Sequence, residues 1–138
     1  EISACLVGSE MCIRDRPMGY VRSGHKDHGR QNQIEGKMEP GTKVVVIEDL
    51  ISTGGSVLEV VDVLRQAGAQ VLGIASIFTY GLQKGVERLA AADVVNYSLS
   101  DFDTLSKVAA AEGYIADKDI AKLTAFQKNP QNPAWMKL

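Results

Sequence analysis

The chain has 138 residues, a formal net charge of −2 at pH 7, and 45% hydrophobic and 23% charged residues. Its length predicts one domain, and its apolar content is high enough to build a core, which argues against a disordered chain. The near-neutral charge argues against a nucleic-acid binder that relies on a basic face. No apolar run approaches the ~20 residues that a membrane span requires.

The first sixteen residues differ from the rest of the chain. They hold both cysteines, Cys5 and Cys12, whereas residues 17–138 hold none. Two cysteines make no disulfide framework, and this spacing matches no zinc pattern. The stretch CLVGSEMCIRDR resembles a translated sequencing adapter, so we predict that residues 1–16 are a non-native segment and exclude them from the fold argument. A cysteine-free remainder suits a reducing, cytoplasmic setting.

Residues 18–42 predict little regular structure. Met18–Arg22 is a short β-prone run, and Ser23–Gly36 is a polar segment, rich in Gly and charge, that has no clear period. This segment is predicted to be a long loop, and loops longer than ~12–15 residues are uncommon in compact domains and often functional. Pro40 and Gly41 then mark a turn.

From residue 43 onward, predicted strands and helices alternate. The β-branched run Lys43–Ile47 is typical of a strand buried on both faces of a parallel sheet. Apolar residues at helical spacing between Val57 and Leu64, followed by Gly68, predict a helix and its C-terminal cap. The remaining predicted elements are strands at Gln70–Tyr80 and Val94–Leu99, helices at Leu82–Ala92, from Ser100 or Asp101 to about Glu112, and at Asp117–Lys128, and a loosely held tail at Asn129–Leu138. This order predicts an α/β fold with right-handed crossovers and a mostly parallel sheet flanked by helices on both faces.

The segment VVVIEDLISTGGS (Val44–Ser56) carries the chemistry. In it a buried strand ends in Glu48 and Asp49, and a loop of small residues, Ser52–Ser56, then leads into a helix. Ligands of open α/β sheets bind beyond the carboxyl ends of the strands. Such a loop can surround a phosphate with N–H groups and hydroxyls, and the positive end of the helix favours the anion. The two carboxylates are placed to accept hydrogen bonds from sugar hydroxyls. The segment is neither a Walker A loop nor a G-x-G-x-x-G dinucleotide motif.

Val44–Ser56 closely resembles the phosphoribosyl-pyrophosphate signature of type I phosphoribosyltransferases, which has a hydrophobic strand, two acidic residues, two variable residues and a Thr/Gly-rich loop. The segment YVRSGHKDHGRQNQIEG (Tyr20–Gly36) resembles the mobile catalytic loop of the orotate phosphoribosyltransferases in that family. Its matching residues are Arg22, Lys26 and His28, with Asn32, Glu35 and Gly36 in the tail of the loop. Two further segments, SIFTYG (Ser76–Gly81) and NYSLSDFDTL (Asn96–Leu105), resemble one bacterial branch of these enzymes.

The resemblance implies a type I phosphoribosyltransferase fold, incomplete at its N-terminus, and an orotate phosphoribosyltransferase activity. Ribose 5-phosphate would be transferred from phosphoribosyl pyrophosphate to orotate, giving orotidine 5′-monophosphate and pyrophosphate in pyrimidine biosynthesis. Mg²⁺ held mainly by the diphosphate would be the cofactor, and the enzyme would be a homodimer with no nucleic-acid or membrane partner. The implied roles are catalysis at the diphosphate for Arg22, Lys26 and His28, ribose binding for Glu48 and Asp49, and 5′-phosphate binding for Ser52, Thr53, Gly54, Gly55 and Ser56. Cationic side chains can neutralise the charge that grows on the diphosphate as its bond to the sugar breaks.

The match departs from the family pattern in two places. Ser23 stands where the enteric-type pattern has a lysine, and Phe78–Gln83 lacks the arginine that holds the orotate carboxylate, a role that the position of Arg88 does not support. Family members are also longer, so residues 17–138 are predicted to be the C-terminal part of a phosphoribosyltransferase domain that is inactive and prone to aggregate alone. The alternatives left open are a non-catalytic phosphoribosyl-pyrophosphate-binding regulator and a purine phosphoribosyltransferase. The basic loop favours an enzyme, because a regulator has no need of it.

Overall fold

The computed structural model describes residues 18–22, 33–36 and 38–137. In chain order the elements are β1 (Tyr20–Val21), β2 (Ile34–Glu35), β3 (Lys43–Ile51), α1 (Gly55–Gln66), β4 (Gln70–Thr79), α2 (Gln83–Ala91), β5 (Asn96–Asp101), α3 (Phe102–Ala111), α4 (Asp119–Lys128) and a 3₁₀ helix (Pro133–Lys137). The predicted non-native segment, residues 1–16, lies outside the described residues. None of the helices described is long and apolar enough to cross a bilayer.

Three strands form a parallel sheet in the order β3-β4-β5, which confirms the predicted α/β architecture. Val46 pairs with Ile74, and Ile74 in turn pairs with Asn96. Each strand is joined to the next by a helix, and both connections step across the sheet in the same direction. Right-handed crossovers in the same direction place their helices on the same face, so α1 and α2 cover one side of the sheet together.

The core lies between this covered face and α1. Val46 and Ile74 of the sheet pack against Val57, Val61 and Leu64 of the helix, and all five are buried. The helix residues recur at i, i+4 and i+7, which is the spacing of one face of an α-helix. Ile51, Ala69 and Val94 complete the buried cluster. The predicted helix therefore forms, and Gly68 follows its end with a left-handed φ of +86°, as the predicted C-terminal cap requires.

The opposite face of the sheet is open, and here the prediction of a strand buried on both faces is wrong. Ile47, Tyr97 and Leu99 are 71%, 72% and 86% exposed. Ile47 pairs with Ala75, and Ala75 pairs with Tyr97, so these side chains form one row across the sheet. A β-branched strand is buried on a face only where a second layer packs on it, and the helices described cover only the other face. The result is an exposed apolar sheet surface, which we call the open face.

The predicted loop Ser23–Gly36 contains a strand that the sequence did not reveal. Its residues Ile34–Glu35 form β2, which pairs antiparallel with β1 in the register Tyr20 with Glu35 and Val21 with Ile34. Val21 and Ile34 also pack against the core cluster. The two short strands therefore form a hairpin whose connection, residues 23–32, lies outside the described residues.

The C-terminal third packs beside the sheet through capping and aromatic contacts. The carboxylate of Asp101 accepts the Thr104 N–H at 2.7 Å and caps α3, and this bond holds the pKa of Asp101 below its usual value. The tail, predicted to be loosely held, instead forms a 3₁₀ helix. In it the Trp135 ring lies edge-on to Phe126 at 5.3 Å, and its Nε1 donates to the Pro130 carbonyl. Two prolines in the tail did not prevent this packing, because Trp135 has its partners in α4 and in the turn after it.

Two isoleucines on opposite faces of β4 test the asymmetry of the sheet. Ile74 is 1% exposed in the core, and Ile77 is 58% exposed on the open face. Ile74→Ala is expected to lower the free energy of unfolding by about 2–5 kcal/mol, because it leaves a cavity. Ile77→Ala removes the same atoms from solvent-facing surface and is expected to change it by less than about 1 kcal/mol. Urea unfolding followed by circular dichroism measures both, and equal losses would show that the open face is covered in solution.

Candidate functional site

The acidic pair lies within a strand rather than at its end. The sequence predicts that the β-branched run Lys43–Ile47 ends in Glu48 and Asp49, whereas β3 continues to Ile51 and carries both acids in its ladder. Because successive side chains of a strand point to opposite faces, Glu48 shares the covered face of Val46 and is half-buried, while Asp49 is exposed. The two carboxylates therefore differ in burial but are adjacent near the carboxyl edge of the sheet, where the Asp49 side chain acts on Glu48.

The environment of Glu48 favours its neutral form. Burial raises the pKa of Glu48 above its ordinary value of 4.5, and a hydrogen bond and charge repulsion from the Asp49 side chain raise it further. The backbone N–H of Asp49 donates to Glu48 Oε1 at 3.1 Å and partly opposes this rise. Glu48 thus exchanges a proton at a higher pH than an exposed glutamate does.

The five small residues of the predicted phosphate loop run from the end of β3 into the first turn of α1. Gly54 occupies the N-cap position of α1 with a left-handed φ of +73°, so that glycine is suited to this position. No side chain caps this helix end, and its first turn has no acidic residue. The first N–H groups of a helix have no partner within the helix, and together they carry a partial positive charge. The helix end is therefore polar and positively polarised, and the residues that form it are Ser52, Thr53, Gly54, Gly55 and Ser56.

The basic loop is only partly described. Arg22 follows β1 and forms an ion pair with Glu35 of β2 across the hairpin, and both side chains are exposed. The backbone N–H of Arg22 also donates to the Gln33 carbonyl at 2.9 Å. Lys26, His28 and Asn32 lie outside the described residues. The structure thus joins Arg22 to the tail of its own loop.

Helix α2 contributes two residues that the sequence motif did not include. Arg88 Nη1 donates to the Thr53 carbonyl at 3.3 Å, and Gly85 lies against Ser52. From the sequence alone, the one role weighed for Arg88 was binding of the orotate carboxylate, which its position does not support. A glycine and an arginine three residues apart on one helix are a weak signal alone, because their contact with the loop spans more than thirty residues of chain. Only the folded structure, in which α2 lies beside the loop, shows the contacts of Gly85 and Arg88.

The parallel sheet defines an α/β protein, and its acid-bearing strand and the glycine-containing loop at an uncapped helix end lie at the carboxyl edge, where open α/β sheets bind ligands. Residues 13–107 match the phosphoribosyl transferase domain family. The chain therefore belongs to that family, and its sheet and helices are those of the type I phosphoribosyltransferase fold.

Individual relatives agree with this assignment. The chain is 59% identical over 122 residues to the orotate phosphoribosyltransferase of Bacillus cereus strain B4264. The matched region covers 88% of this chain and 58% of the relative. A solved orotate phosphoribosyltransferase from Aeropyrum pernix is similar with a TM-score of 0.63 at 30% identity, over 78% of this chain and 58% of that one. The orotate phosphoribosyltransferase of Mycobacterium tuberculosis H37Rv was solved in complex with 5-phospho-α-D-ribosyl 1-diphosphate. It is similar with a TM-score of 0.54 at 25% identity, over 63% of this chain and 48% of that one. The chain thus spans well under two thirds of these relatives' length.

The raised pKa of Glu48 has a measurable consequence for stability. An acid whose folded pKa exceeds its unfolded pKa opposes folding once it is ionised, so this cost is absent at low pH and complete above the folded pKa. We expect Glu48→Gln to raise the Tm at pH 7, and the gain to disappear as the pH falls through the Glu48 pKa towards 4.5.

Nuclear magnetic resonance titration of the Glu48 carboxyl supplies the independent check. Asp49→Asn is expected to lower the Glu48 pKa, because it removes the neighbouring charge, while burial still keeps that pKa above 4.5. An ordinary Glu48 pKa in the wild-type chain, or a Tm gain that persists at acid pH, would contradict this account.

Proposed function

We propose that this chain forms the phosphoribosyl-pyrophosphate-binding part of an orotate phosphoribosyltransferase. The observation that carries the proposal is the uncapped N-terminus of α1 at the end of an acid-bearing parallel strand, in a member of the phosphoribosyl transferase family. The relatives named above support the choice of orotate. The reaction is the transfer of ribose 5-phosphate to orotate with release of pyrophosphate, a step in the synthesis of pyrimidine nucleotides.

In this proposal the loop binds the 5′-phosphate. Backbone N–H groups of Ser52–Ser56 and the hydroxyls of Ser52, Thr53 and Ser56 donate to phosphate oxygens, and the α1 N-terminus stabilises the negative charge. Glu48 and Asp49 accept hydrogen bonds from the ribose hydroxyls. Only the ionised form of Glu48 accepts through both oxygens, so the same burial that raises its pKa makes sugar binding weaken as the pH falls.

Arg22, Lys26 and His28 are proposed to act on the diphosphate. Charge develops there as the bond to C1 of the ribose breaks, and positioned cations stabilise it. The ion pair between Arg22 and Glu35 is exposed, and exposed pairs contribute about 0–1 kcal/mol. Arg22 can therefore leave Glu35 and bind a diphosphate oxygen at a small cost in free energy.

Mg²⁺ is proposed to enter with the diphosphate and to stabilise it as a leaving group. In the described ranges, no three His, Cys, Asp or Glu side chains are grouped so as to hold a metal ion. Diphosphate oxygens supply the hard ligands that Mg²⁺ prefers, and the exposed Asp49 carboxylate is a further oxygen donor. The cytoplasmic setting and the homodimer are likewise part of the proposal.

We also propose that residues 17–138 are the C-terminal part of a larger domain. The open face supports this, because large apolar side chains on one side of a sheet are normally covered by a second layer. The coverage of 58% of the Bacillus cereus relative supports it as well. The 138-residue chain alone is then expected to bind the sugar phosphate and to form no product.

Ribose 5-phosphate binding to the 138-residue chain tests the loop, with isothermal titration calorimetry as the measurement. Ser56→Asp adds a carboxylate to the first turn of α1, where it favours the helix but repels phosphate, so binding is expected to fall more than tenfold without loss of Tm. Gln66→Glu makes the same charge change at the far end of α1 and is expected to leave binding unchanged. Equal affinity in both variants would contradict a phosphate site at this loop.

The transfer reaction is tested in a chimera in which residues 17–138 replace the matching part of the Bacillus cereus enzyme. We expect orotidine 5′-monophosphate from orotate and Mg²⁺–phosphoribosyl pyrophosphate, and none from adenine or hypoxanthine. Lys26→Ala is expected to lower kcat far more than it raises KM, because its charge matters most in the transition state. Product from a purine alone would identify a purine phosphoribosyltransferase, and binding without any transfer would identify a regulator.

A further inference from the structure

Helix α2 packs directly on the backbone of the phosphate loop. Gly85 is buried in this helix, and a Cβ added to it would lie 2.5 Å from the Ser52 carbonyl oxygen, closer than real contacts of this kind. Gly54 faces the same place from the loop side, with the Gly85 carbonyl and the Leu89 side chain each 3.8 Å from its own ideal Cβ. Loop and helix therefore meet backbone to backbone, and glycine is required at position 85 for the observed spacing.

Arg88 adds a second contact one turn further along α2. Its Nη1 donates to the Thr53 carbonyl at 3.3 Å, and the same nitrogen lies 3.6 Å from the ideal Cβ of Gly55. Two successive loop carbonyls, those of Ser52 and Thr53, are thus directed at α2.

The direction of a carbonyl fixes the direction of the next N–H group. A trans peptide is planar, and its C=O and N–H bonds point in opposite directions. With the Ser52 and Thr53 carbonyls turned towards α2, the N–H groups of Thr53 and Gly54 are turned away from it. Successive N–H groups that point to one side form an anion-binding concavity, which here continues into the N-terminus of α1.

The surroundings of Arg88 argue against a direct contact between its guanidinium and the phosphate. The open groove beside Arg88 is lined by Glu59 and Asp62 of α1, together with Gly55 and Leu58. Two carboxylates next to the guanidinium disfavour an anion in that groove. The charge-assisted hydrogen bond of Arg88 is instead directed at the loop backbone.

We propose that Gly85 and Arg88 are positioning residues that hold the phosphate loop with its Thr53 and Gly54 N–H groups aimed at the ligand. The identity of that ligand rests on the proposed function, whereas the orientation of the loop does not. The two roles differ. Gly85 permits the close approach of α2 to the loop, and Arg88 fixes the orientation of the peptide between Thr53 and Gly54.

Amide nuclear magnetic resonance on the 138-residue chain tests the loop directly. Arg88→Met removes the donor and keeps an apolar stem, and we expect the ¹H–¹⁵N nuclear Overhauser effect of the Thr53–Ser56 amides to fall. Arg65→Met is the matched control, because Arg65 also donates to backbone carbonyls, those of Ala92 at 2.7 Å and Asp93 at 3.0 Å, remote from the loop. It is expected to leave the loop amides unchanged. Unchanged loop amides in Arg88→Met would overturn the proposal.

Ribose 5-phosphate affinity, measured by calorimetry, gives the functional consequence. Arg88→Met is expected to weaken binding by about three- to tenfold, the range for one hydrogen bond, with partial rescue by Arg88→Lys and no effect of Arg65→Met. Gly85→Ala is expected to weaken binding as well, although alanine is the better helix former, because its methyl displaces the Ser52 carbonyl. Wild-type affinity in both Arg88→Met and Gly85→Ala would overturn the positioning role. If the wild-type chain bound no ribose 5-phosphate, the proposed function would fail, while the loop amides would still decide the role of Arg88.

Discussion

The parallel register of β3, β4 and β5 is the constraint on which the site depends. It brings the carboxyl ends of all three strands to one edge, where the Tyr80 N–H donates to the Ile51 carbonyl at 2.9 Å and joins the two strand ends. The loop, the N-terminus of α1 and the first turn of α2 all begin at this edge. Because both crossovers run in the same direction, α2 lies beside α1, and its backbone meets the loop that precedes α1.

Much of this fold could be predicted because its signals are local. The valines of β3 indicate a strand, and the helical spacing from Val57 to Leu64 indicates both a helix and its buried face. The end of β3 could not be predicted in this way. Glu48 and Asp49 look like the start of a loop, yet the ladder continues because Leu50 pairs with Phe78 and Ile51 with Thr79. Strand β2 could not be predicted either, because it too depends on pairing with a distant segment. Ile34 and Glu35 form a strand only opposite Val21 and Tyr20.

The candidate site divides along the same line. The Ser52–Ser56 loop could be recognised from residue types and spacing, because an anion-binding helix end needs small residues and free N–H groups in sequence order. Gly85 and Arg88 could not, because the positioning role proposed for them rests on contacts with Ser52 and Thr53 that only the packed fold creates. The binding and catalytic roles of all the site residues stay predictions, and Lys26 and His28 also lie outside the described residues.

The side chains on the two faces of the sheet support the proposal that a second layer covers the open face. On the covered face, Ser76 donates to Asn96 at 3.0 Å and is bonded to Ser98 at 2.6 Å, next to Glu48 in the register. The open face carries Ile47, Tyr97 and Leu99 instead. A sheet with one solvated face normally carries polar residues on that face, whereas this sheet carries large apolar side chains there in addition to the apolar core on its covered face. The β-branched pattern of β3 is typical of a sheet with layers on both sides, and among the described residues helices cover only one of them.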